Sequence, residues 1–222
     1  NVEQALQQIK ASNINIDSAT INLVFQAYTN CNQIERGIEF LAANLDKLKG
    51  EEAPYSFNQL IVTLFKQHKH EEAEMVVTKM KMLNIEPSAQ TYRTLLHKYA
   101  LAGDMKKAQH WFNILKQNPN NVNVAAFSML MSGYLQSNDI EQVEKIIEEM
   151  KTKYKLEPDL HMQNQLLRAY LMTDNTEKGL YLYKDLVDNG TVDDYSHSTV
   201  VKYYMHQRKA AHAAHIVFSM PN

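Results

Sequence analysis

The sequence of 222 residues contains a single cysteine, Cys31, together with only six glycines and five prolines. One thiol excludes an internal disulfide and any zinc site built from several cysteines. So few glycines and prolines argue against a β-rich fold and against long flexible linkers. No apolar run reaches the roughly 20 residues that a membrane-spanning helix needs, so we expect no membrane insertion.

Motifs that carry catalysis are missing as well. The chain has no glycine-rich phosphate loop, no nucleophile elbow, no clustered carboxylates and no HExxH spacing. Its nine histidines have no cysteine pair beside them that would complete a metal site. We therefore expect a protein without catalysis of its own, without a cofactor and without a bound metal.

The chain does contain an internal repeat. A tyrosine, replaced once by leucine, recurs every 34–36 residues, at Tyr28, Leu64, Tyr99, Tyr134, Tyr170 and Tyr204. Small residues keep the same spacing, at Gly37, Ala73, Ala108, Val143, Gly179 and Ala213. We call these two sets the ring ladder and the small-residue ladder. A fixed period of this length is typical of stacked repeats rather than of a globular enzyme domain.

The ladders also set the boundaries of the repeats. We predict the end of a preceding repeat over residues 1–17, five complete repeats over 18–53, 54–88, 89–123, 124–159 and 160–193, and an incomplete sixth repeat over 194–222. The ladders are still in step at both ends, so we expect the chain to be part of a longer array.

Each repeat contains two predicted helices. In the third repeat, Tyr92, Leu95 and Tyr99 recur at the spacing of one helical face. The pair Gly103-Asp104 interrupts this pattern, and a second apolar face follows it. The small-residue ladder falls early in the second helix, where it allows the two backbones to approach closely. The sequence therefore predicts an all-α fold made of helix pairs.

Several segments resemble one family of two-helix repeats. A pentatricopeptide repeat is similar to this chain at residues 57–61 (FNQLI), 71–73 (EEA) and 80–88 (MKMLNIEPS). Residues 150–159 (MKTKYKLEPD) resemble the last of these segments, which ends the second helix of a repeat. The resemblance covers essentially the whole chain. Tetratricopeptide repeats usually carry a glycine at the place where this chain has Ile61 and its equivalents, so they fit less well.

The resemblance implies an α-solenoid with a right-handed superhelical path, whose first helices line a concave face and bind single-stranded RNA. It implies an adaptor in organelle RNA metabolism, active in transcript stabilisation, processing or translation. Family members mostly work in mitochondria or chloroplasts, so the implied location is mitochondrial, and no DNA partner is expected. Single-stranded bases expose Watson–Crick edges that polar side chains on rigid repeats can read.

In this family, the fifth residue of a repeat and the last residue before the next repeat address one base. The corresponding pairs here are Asn22 with Ala53, Asn58 with Ser88, Arg93 with Asn123, Ser128 with Asp159, and Asn164 with Asp193. The resemblance implies cytosine for the second pair, guanine for the fourth, uracil for the fifth and a pyrimidine for the first. The implied target is 5′-pyrimidine-C-any-G-U-3′. The register of the last repeats is open by one residue, so Asp194 is the alternative to Asp193.

Charge argues in both directions. The net charge of −2 disfavours a nucleic-acid partner, because phosphate contacts usually need a basic protein. Yet Asp194 is the only acidic residue in the predicted first helices, whereas Lys66 and Lys98 lie there. Local potential guides a polyanion more than net charge does, so both lysines are candidate RNA contacts. Tyr55, the second residue of its repeat, either stacks on a base or packs between helices.

The second helices hold most of the acidic residues, among them Glu71, Glu72 and Glu144. This acidic face is a candidate docking surface for a protein. The alternative function is therefore a protein-interaction scaffold, for example a helical-repeat subunit of a mitochondrial ribosome or another assembly. The scarcity of acidic residues in the first helices has a second explanation, which is that these helices are less exposed to solvent than the second helices.

Overall fold

The computed structural model describes residues 16–48, 50, 52–173 and 175–219, together with Val2, Gln4 and Gln7. Between residues 16 and 219 it contains twelve α-helices and two short 3₁₀ helices, and no described residue lies in a strand. The predicted all-α fold is confirmed. The segment 1–17, predicted as the end of a preceding repeat, lies almost entirely outside the described residues.

The helices come in pairs, one pair for each predicted repeat. Their bounds are α1 Ser18–Asn30, α2 Ile34–Ala42, α3 Glu52–Lys66, α4 His70–Met82, α5 Ala89–Leu101, α6 Met105–Leu115, α7 Val124–Gln136, α8 Ile140–Tyr154, α9 Leu160–Met172, α10 Thr176–Asp188, α11 Asp194–His206 and α12 Ala210–Ser219. The 3₁₀ helices are Leu45–Lys47 and Pro119–Asn121. None of the helices formed by the described residues is long and apolar enough to cross a bilayer.

Most odd-numbered helices begin at the first residue of a predicted repeat, but α3 does not. It begins at Glu52, before Pro54. Proline has no backbone N–H, yet the first turn of a helix leaves those groups without helical partners anyway. A helix can therefore start ahead of this proline, and Glu52 and Ala53 belong to α3 rather than to the preceding connection.

The chain divides into two compact units, Asn1–Tyr99 with Lys107–Gln117 and Ala100–Lys106 with Asn118–Asn222. In the first unit α1 packs on α2 and α3, and α3 packs on α4. In the second unit α7 packs on α8 and α9, α9 on α10 and α11, and α11 on α12. Within the two units α1, α3, α7, α9 and α11 thus each contact their own partner and a neighbouring odd-numbered helix, as stacked helix pairs do.

Aromatic side chains join neighbouring repeats in the first unit. Phe25 of α1 meets Phe57 of α3 edge to face, with ring centroids 6.0 Å apart. Phe65 of α3 meets Tyr99 of α5 in the same way at 4.9 Å. Tyr99 is only 1% exposed, and its hydroxyl donates a hydrogen bond to the His70 carbonyl at 3.0 Å. This tyrosine therefore ties α5 to the start of α4.

Tyr170 has the equivalent role in the second unit. Its hydroxyl donates to a Glu144 carboxylate oxygen at 2.7 Å, and the Lys178 ammonium lies 2.6 Å from the same oxygen. Burial, together with the hydrogen bond to Glu144, raises the pKa of the Tyr170 hydroxyl. The hydroxyl stays protonated near neutral pH and remains a donor to the preceding repeat.

Every member of the small-residue ladder is buried. A Cβ atom built on Gly37 would lie 3.1 Å from Cβ of Tyr28, and one built on Gly179 would lie 3.1 Å from Cβ of Tyr170. Both distances are shorter than ordinary carbon–carbon contacts. The predicted close approach of the two helices is confirmed at these two repeats, where it occurs against the ring ladder itself.

In five of the six turns between paired helices, one described residue has a left-handed backbone. It is the fifteenth residue of the repeat, at Asn32, His68, Gly103, Asn138 and Arg208, with φ between 56° and 78°. Glycine and asparagine adopt this conformation readily, whereas other residues do so at a cost of about 1–2 kcal/mol. Asp174, the equivalent residue of the fifth repeat, lies outside the described residues.

We expect Tyr99→Ala to lower the free energy of unfolding by about 3–5 kcal/mol, because it deletes a fully buried ring. Tyr99→Phe keeps the ring and loses only the bond to His70, so it should cost about 0.5–1.5 kcal/mol. Denaturant unfolding followed by circular dichroism measures both values. Equal, small losses in the two variants would show that the ring is not packed as described.

Candidate nucleic-acid interface

The second residue of every repeat is exposed on its odd-numbered helix. These residues are Ala19, Tyr55, Gln90, Ala125, His161 and Tyr195. The fifth residue lies about one turn further along the same face and is half-buried or buried in the first five repeats. Tyr55 is 55% exposed, so most of its ring is not packed between helices. Each candidate reading side chain is thus recessed beside an exposed neighbour.

The asparagines at the fifth position differ in their partners. Asn22 is half-buried, and its Oδ1 accepts a hydrogen bond from the Ser56 hydroxyl of α3. Asn58 is only 7% exposed, and its Oδ1 is buried without a hydrogen bond from any described residue. An unpaired buried acceptor costs about 1–3 kcal/mol. Asn58 therefore offers an oxygen that a donor on a ligand would satisfy.

Two other fifth-position residues are half-buried and are not asparagine. Ser128 lies on α7. Arg93 lies on α5 and donates through Nη2 to Oε1 of Gln90 at 3.3 Å. A guanidinium is longer than an amide, and it only donates hydrogen bonds. Arg93 therefore differs from the other fifth-position residues in reach as well as in charge.

The last residues of four predicted repeats cap the helices that follow them. In each case a side-chain oxygen accepts from the backbone N–H three residues further on, at 2.8–3.4 Å. The four residues are Ser88 before α5, Asn123 before α7, Asp159 before α9 and Asp193 before α11. Ala53 has no such role, because it lies inside α3. The second residue of each candidate pair is thus held in place by the start of an odd-numbered helix.

One candidate pair is in direct contact. The Asn164 amide donates through Nδ2 to both carboxylate oxygens of Asp193, at 3.1 Å and 3.0 Å. The Ser196 hydroxyl lies 2.6 Å from Oδ1 of Asn164 and 2.7 Å from Oδ1 of Asp193. Burial acts to raise the pKa of Asp193, but hydrogen bonds from Ser196 and Asn164 outweigh it and hold that pKa below its ordinary value.

Free positive charge lies on the odd-numbered helices. Lys66 of α3 is exposed and Lys98 of α5 is half-buried, and neither forms an ion pair among the described residues. The acids within odd-numbered helices are Glu52 and Asp194. Glu52 corrects the expectation that Asp194 is the only one, since α3 begins earlier than predicted.

Acids of the even-numbered helices are in part neutralised by lysines of the neighbouring repeat. Three ion pairs join successive even-numbered helices: Lys79 with Glu35 at 3.2 Å, Lys107 with Glu74 at 3.0 Å and Lys178 with Glu144 at 2.6 Å. The candidate acidic docking face is therefore weaker in charge than the sequence alone indicates.

The described residues contain no group of three or more His, Cys, Asp or Glu side chains arranged to hold a metal ion. His197 is a buried member of the nine histidines. Its Nδ1 lies 2.7 Å from the Tyr183 hydroxyl, so this ring belongs to the core between α10 and α11.

Comparison with known proteins identifies the repeats. A family model described as the PPR repeat family matches residues 54–101, and one described as the PPR repeat matches residues 90–119 and 125–154. The crystal structure of the pentatricopeptide repeat protein PPR10 from maize aligns with 99% of this chain at a TM-score of 0.73 and 16% identity, over 31% of its own length. The chain belongs to the pentatricopeptide repeat family.

Relatives of this pentatricopeptide chain include proteins of known location or role. It is 25% identical over 197 residues to the mitochondrial pentatricopeptide repeat-containing protein At2g20710 of Arabidopsis thaliana, covering 88% of this chain and 40% of that protein. It is 25% identical over 162 residues to the mitochondrial 15S rRNA processing factor CCM1 of Yarrowia lipolytica, covering 69% and 21%.

A second solved structure contains RNA. PPR10 in complex with an 18-nt psaJ RNA element aligns with 97% of this chain at a TM-score of 0.67 and 19% identity, over 31% of its own length. The pentatricopeptide chain described here spans less than half of the length of each of these relatives.

Sequence reasoning missed the third residue of the pentatricopeptide repeat. Ser56 and Ser196 occupy this position and contact the fifth-position asparagine of the preceding repeat. A signal was present, because a hydroxyl residue recurs there at Thr20, Ser56, Thr91 and Ser196. The distance between neighbouring odd-numbered helices was needed to recognise the contact.

We expect Asp193→Ala to lower the free energy of unfolding by about 0.5–2 kcal/mol near neutral pH, because it removes a helix cap. The folded-state pKa of Asp193 lies below the ordinary value of 3.8. The contribution of the carboxylate is therefore present above that value and is lost as the pH falls through the lower folded-state pKa.

Denaturant unfolding of both proteins at neutral and acid pH measures this difference. Asp194→Ala is the matched control, because Asp194 is exposed and interacts only with the helix dipole, at about 0.3–1 kcal/mol. A stability gap between wild type and Asp193→Ala that does not shrink on acidification would contradict the assignment.

Proposed function

We propose that this pentatricopeptide chain binds single-stranded RNA along its odd-numbered helices. It acts as an adaptor in organelle RNA metabolism, in transcript stabilisation, processing or translation, and has no catalysis of its own. The observation that carries the proposal is the contact between Asn164 and Asp193. The fifth and the last residue of one repeat, 29 positions apart in sequence, are joined there by hydrogen bonds beside an exposed helical face.

The Asn164 amide keeps polar capacity for a base. An amide nitrogen has two hydrogens and its oxygen has two lone pairs. Asp193 takes one hydrogen of the amide nitrogen. The single hydroxyl hydrogen of Ser196 is shared between Oδ1 of Asn164 and Oδ1 of Asp193 and takes at most one lone pair of the amide oxygen, so one donor and at least one acceptor site remain. The Watson–Crick edge of uracil offers an acceptor and a donor side by side, which complements this remaining pair.

The other candidate pairs suit their proposed bases by the same criterion. The buried, unpaired Oδ1 of Asn58 suits the exocyclic amino group of cytosine, which is a donor. The exposed carboxylate of Asp159, the residue paired with Ser128 by position in the repeat, suits guanine, whose N1 and N2 atoms are both donors, since a carboxylate only accepts. Arg93 with Asn123 is given no base.

Contacts outside the base edges complete the proposed interface. Tyr55 presents an exposed ring, and stacking on a base contributes about 1–3 kcal/mol in other single-strand binders. Lys66 and Lys98 supply ammonium groups for the phosphates. The RNA in the PPR10 complex supports a nucleic-acid ligand, and the mitochondrial relatives At2g20710 and CCM1 support a mitochondrial location.

We expect the double variant Asn58→Ala/Asn164→Ala to bind 5′-pyrimidine-C-any-G-U-3′ RNA at least tenfold more weakly, since each lost base contact is worth roughly 1–3 kcal/mol. The selectivity over a scrambled RNA should fall with it. Fluorescence anisotropy measures the affinities, and circular dichroism confirms unchanged helicity.

The matched control is Asn113→Ala/Asn120→Ala, because both asparagines are exposed and lie outside the odd-numbered helices. DNA of the same sequence should bind more weakly than RNA. Equal binding of target and scrambled RNA by the wild type would overturn the proposal, and a protein partner retained by the double variant would favour the scaffold.

The proposed phosphate contacts predict a specific salt dependence. Each phosphate that a lysine neutralises on a single strand contributes about −0.7 to the slope of log affinity against log salt. Lys66→Ala and Lys98→Ala should each make that slope shallower by about 0.7, with little change in base preference. Lys184→Ala on α10 is the control, since this exposed lysine lies on an even-numbered helix. An unchanged slope in both variants would exclude these contacts.

A further inference from the structure

The Asn164 amide is fixed from two sides. Its Nδ2 donates to Asp193, and its Oδ1 lies 2.6 Å from the hydroxyl of Ser196, which is fully buried. The hydroxyl itself is held at the start of α11, where the Asp193 backbone N–H donates to it at 3.4 Å. The orientation of this side chain is thus set by the last residue of its own repeat and by the third residue of the next.

The hydrogen bonds allow one orientation of this amide. A flipped amide would direct Oδ1 towards the Asp193 carboxylate and bring acceptors against each other. It would also remove the acceptor that faces the Ser196 hydroxyl. In the observed orientation the remaining N–H and the remaining lone pair stand in a fixed order on the 6% exposed side chain.

That order is what distinguishes the two pyrimidines. Uracil presents a donor at N3 beside an acceptor at O4, whereas cytosine presents an acceptor at N3 beside an amino donor at N4. An amide that flips freely pairs with either arrangement. An amide held in one orientation pairs well with one arrangement and places like groups together with the other.

The same contact recurs at the other end of the described chain. Ser56, the third residue of its repeat, donates to Oδ1 of Asn22 in the preceding repeat. Thr91 occupies the equivalent place after Asn58, and its hydroxyl accepts from the Ser88 backbone N–H at 3.1 Å as that of Ser196 does from Asp193, but it does not donate to the Asn58 oxygen. Consistently, Oδ1 of Asn58 has no donor among the described residues.

The sequence shows the same association. The third residue carries a hydroxyl after each of the reading asparagines, at Ser56, Thr91 and Ser196. It is apolar where the preceding reading residue is not asparagine, at Ala126 after Arg93 and at Met162 after Ser128. Of these three hydroxyls, those of Ser56 and Ser196 contact the preceding asparagine, whereas that of Thr91 contacts, among the described residues, only the capping residue Ser88.

We propose that Ser196 is a positioning residue that sets the pyrimidine preference of the preceding repeat by fixing the Asn164 amide, and that Ser56 does so for Asn22. This inference rests on the proposed RNA-binding function. Asn58, whose oxygen has no hydroxyl donor, discriminates between cytosine and uracil less than Asn164 does.

The test measures the ratio of affinities for two RNAs, 5′-pyrimidine-C-any-G-U-3′ and the same RNA ending in cytosine, by fluorescence anisotropy. Ser196→Ala should reduce this ratio by about fivefold to tenfold, the effect of one misplaced hydrogen bond. Ser196→Thr retains the hydroxyl and should restore the wild-type ratio.

Two controls separate orientation from helix capping. Thr20→Ala removes the equivalent hydroxyl at the start of α1, where it donates to Asp17 at 2.6 Å, and should lower stability without changing the ratio. Thr91→Val should leave the cytosine-to-uracil ratio at the second base unchanged, because Thr91 does not orient Asn58.

The outcomes are distinguishable from failure of the proposed function. A wild-type protein that binds no RNA overturns the proposed function and with it this inference. A wild-type protein that prefers uracil, with the same preference in Ser196→Ala, leaves RNA binding intact and overturns the positioning role of Ser196.

Discussion

The contact between the ring ladder and the small-residue ladder sets the distance between the helices of a pair, and the rest of each repeat depends on that distance. At Gly37 and Gly179 an added Cβ would lie 3.1 Å from Cβ of the facing tyrosine. With its Cβ held against one helix, the tyrosine ring extends towards the preceding repeat. Tyr170 there donates to Glu144. One position therefore closes the helix pair and also joins it to its neighbour, which fixes where the fifth residue of the same helix lies.

The junction between repeats combines helix capping with the candidate interface. An N-cap must supply an acceptor to the first backbone N–H groups of its helix. A carboxylate has about four acceptor sites, so Asp193 can cap α11 and still accept from Asn164. A serine hydroxyl has fewer, and Ser88 uses its hydroxyl with Thr91. This acceptor capacity explains why the Asn164 amide nitrogen is joined to its cap residue, whereas the Asn58 oxygen is unpaired because no donor among the described residues reaches it.

Much of the fold follows from the sequence, because burial in helix pairs repeats with the chain. The ladders predicted the all-α architecture and the buried small residues, since both depend only on spacing. The start of α3 did not follow, because Pro54 fits the first helical turn as well as it fits a connection. Nor did the left-handed backbones of His68 and Arg208, whose residue types give no indication of that conformation. The contacts of Ser56 and Ser196 needed the distance between neighbouring helices, which spacing along one chain does not supply.

The charge distribution bears on how such an interface would obtain its affinity. Lysines of one repeat pair with glutamates of the preceding one on the even-numbered helices, as Lys107 does with Glu74. Exposed pairs of this kind add little stability, about 0–1 kcal/mol each, but they cancel acidic charge that would otherwise repel a polyanion. The odd-numbered helices retain few cations, so contacts to phosphates, which do not depend on base sequence, would contribute little to the affinity for RNA. Under the proposed function, most of the affinity would then come from the recessed polar side chains, and RNA binding would depend more on base identity than it does for a basic protein.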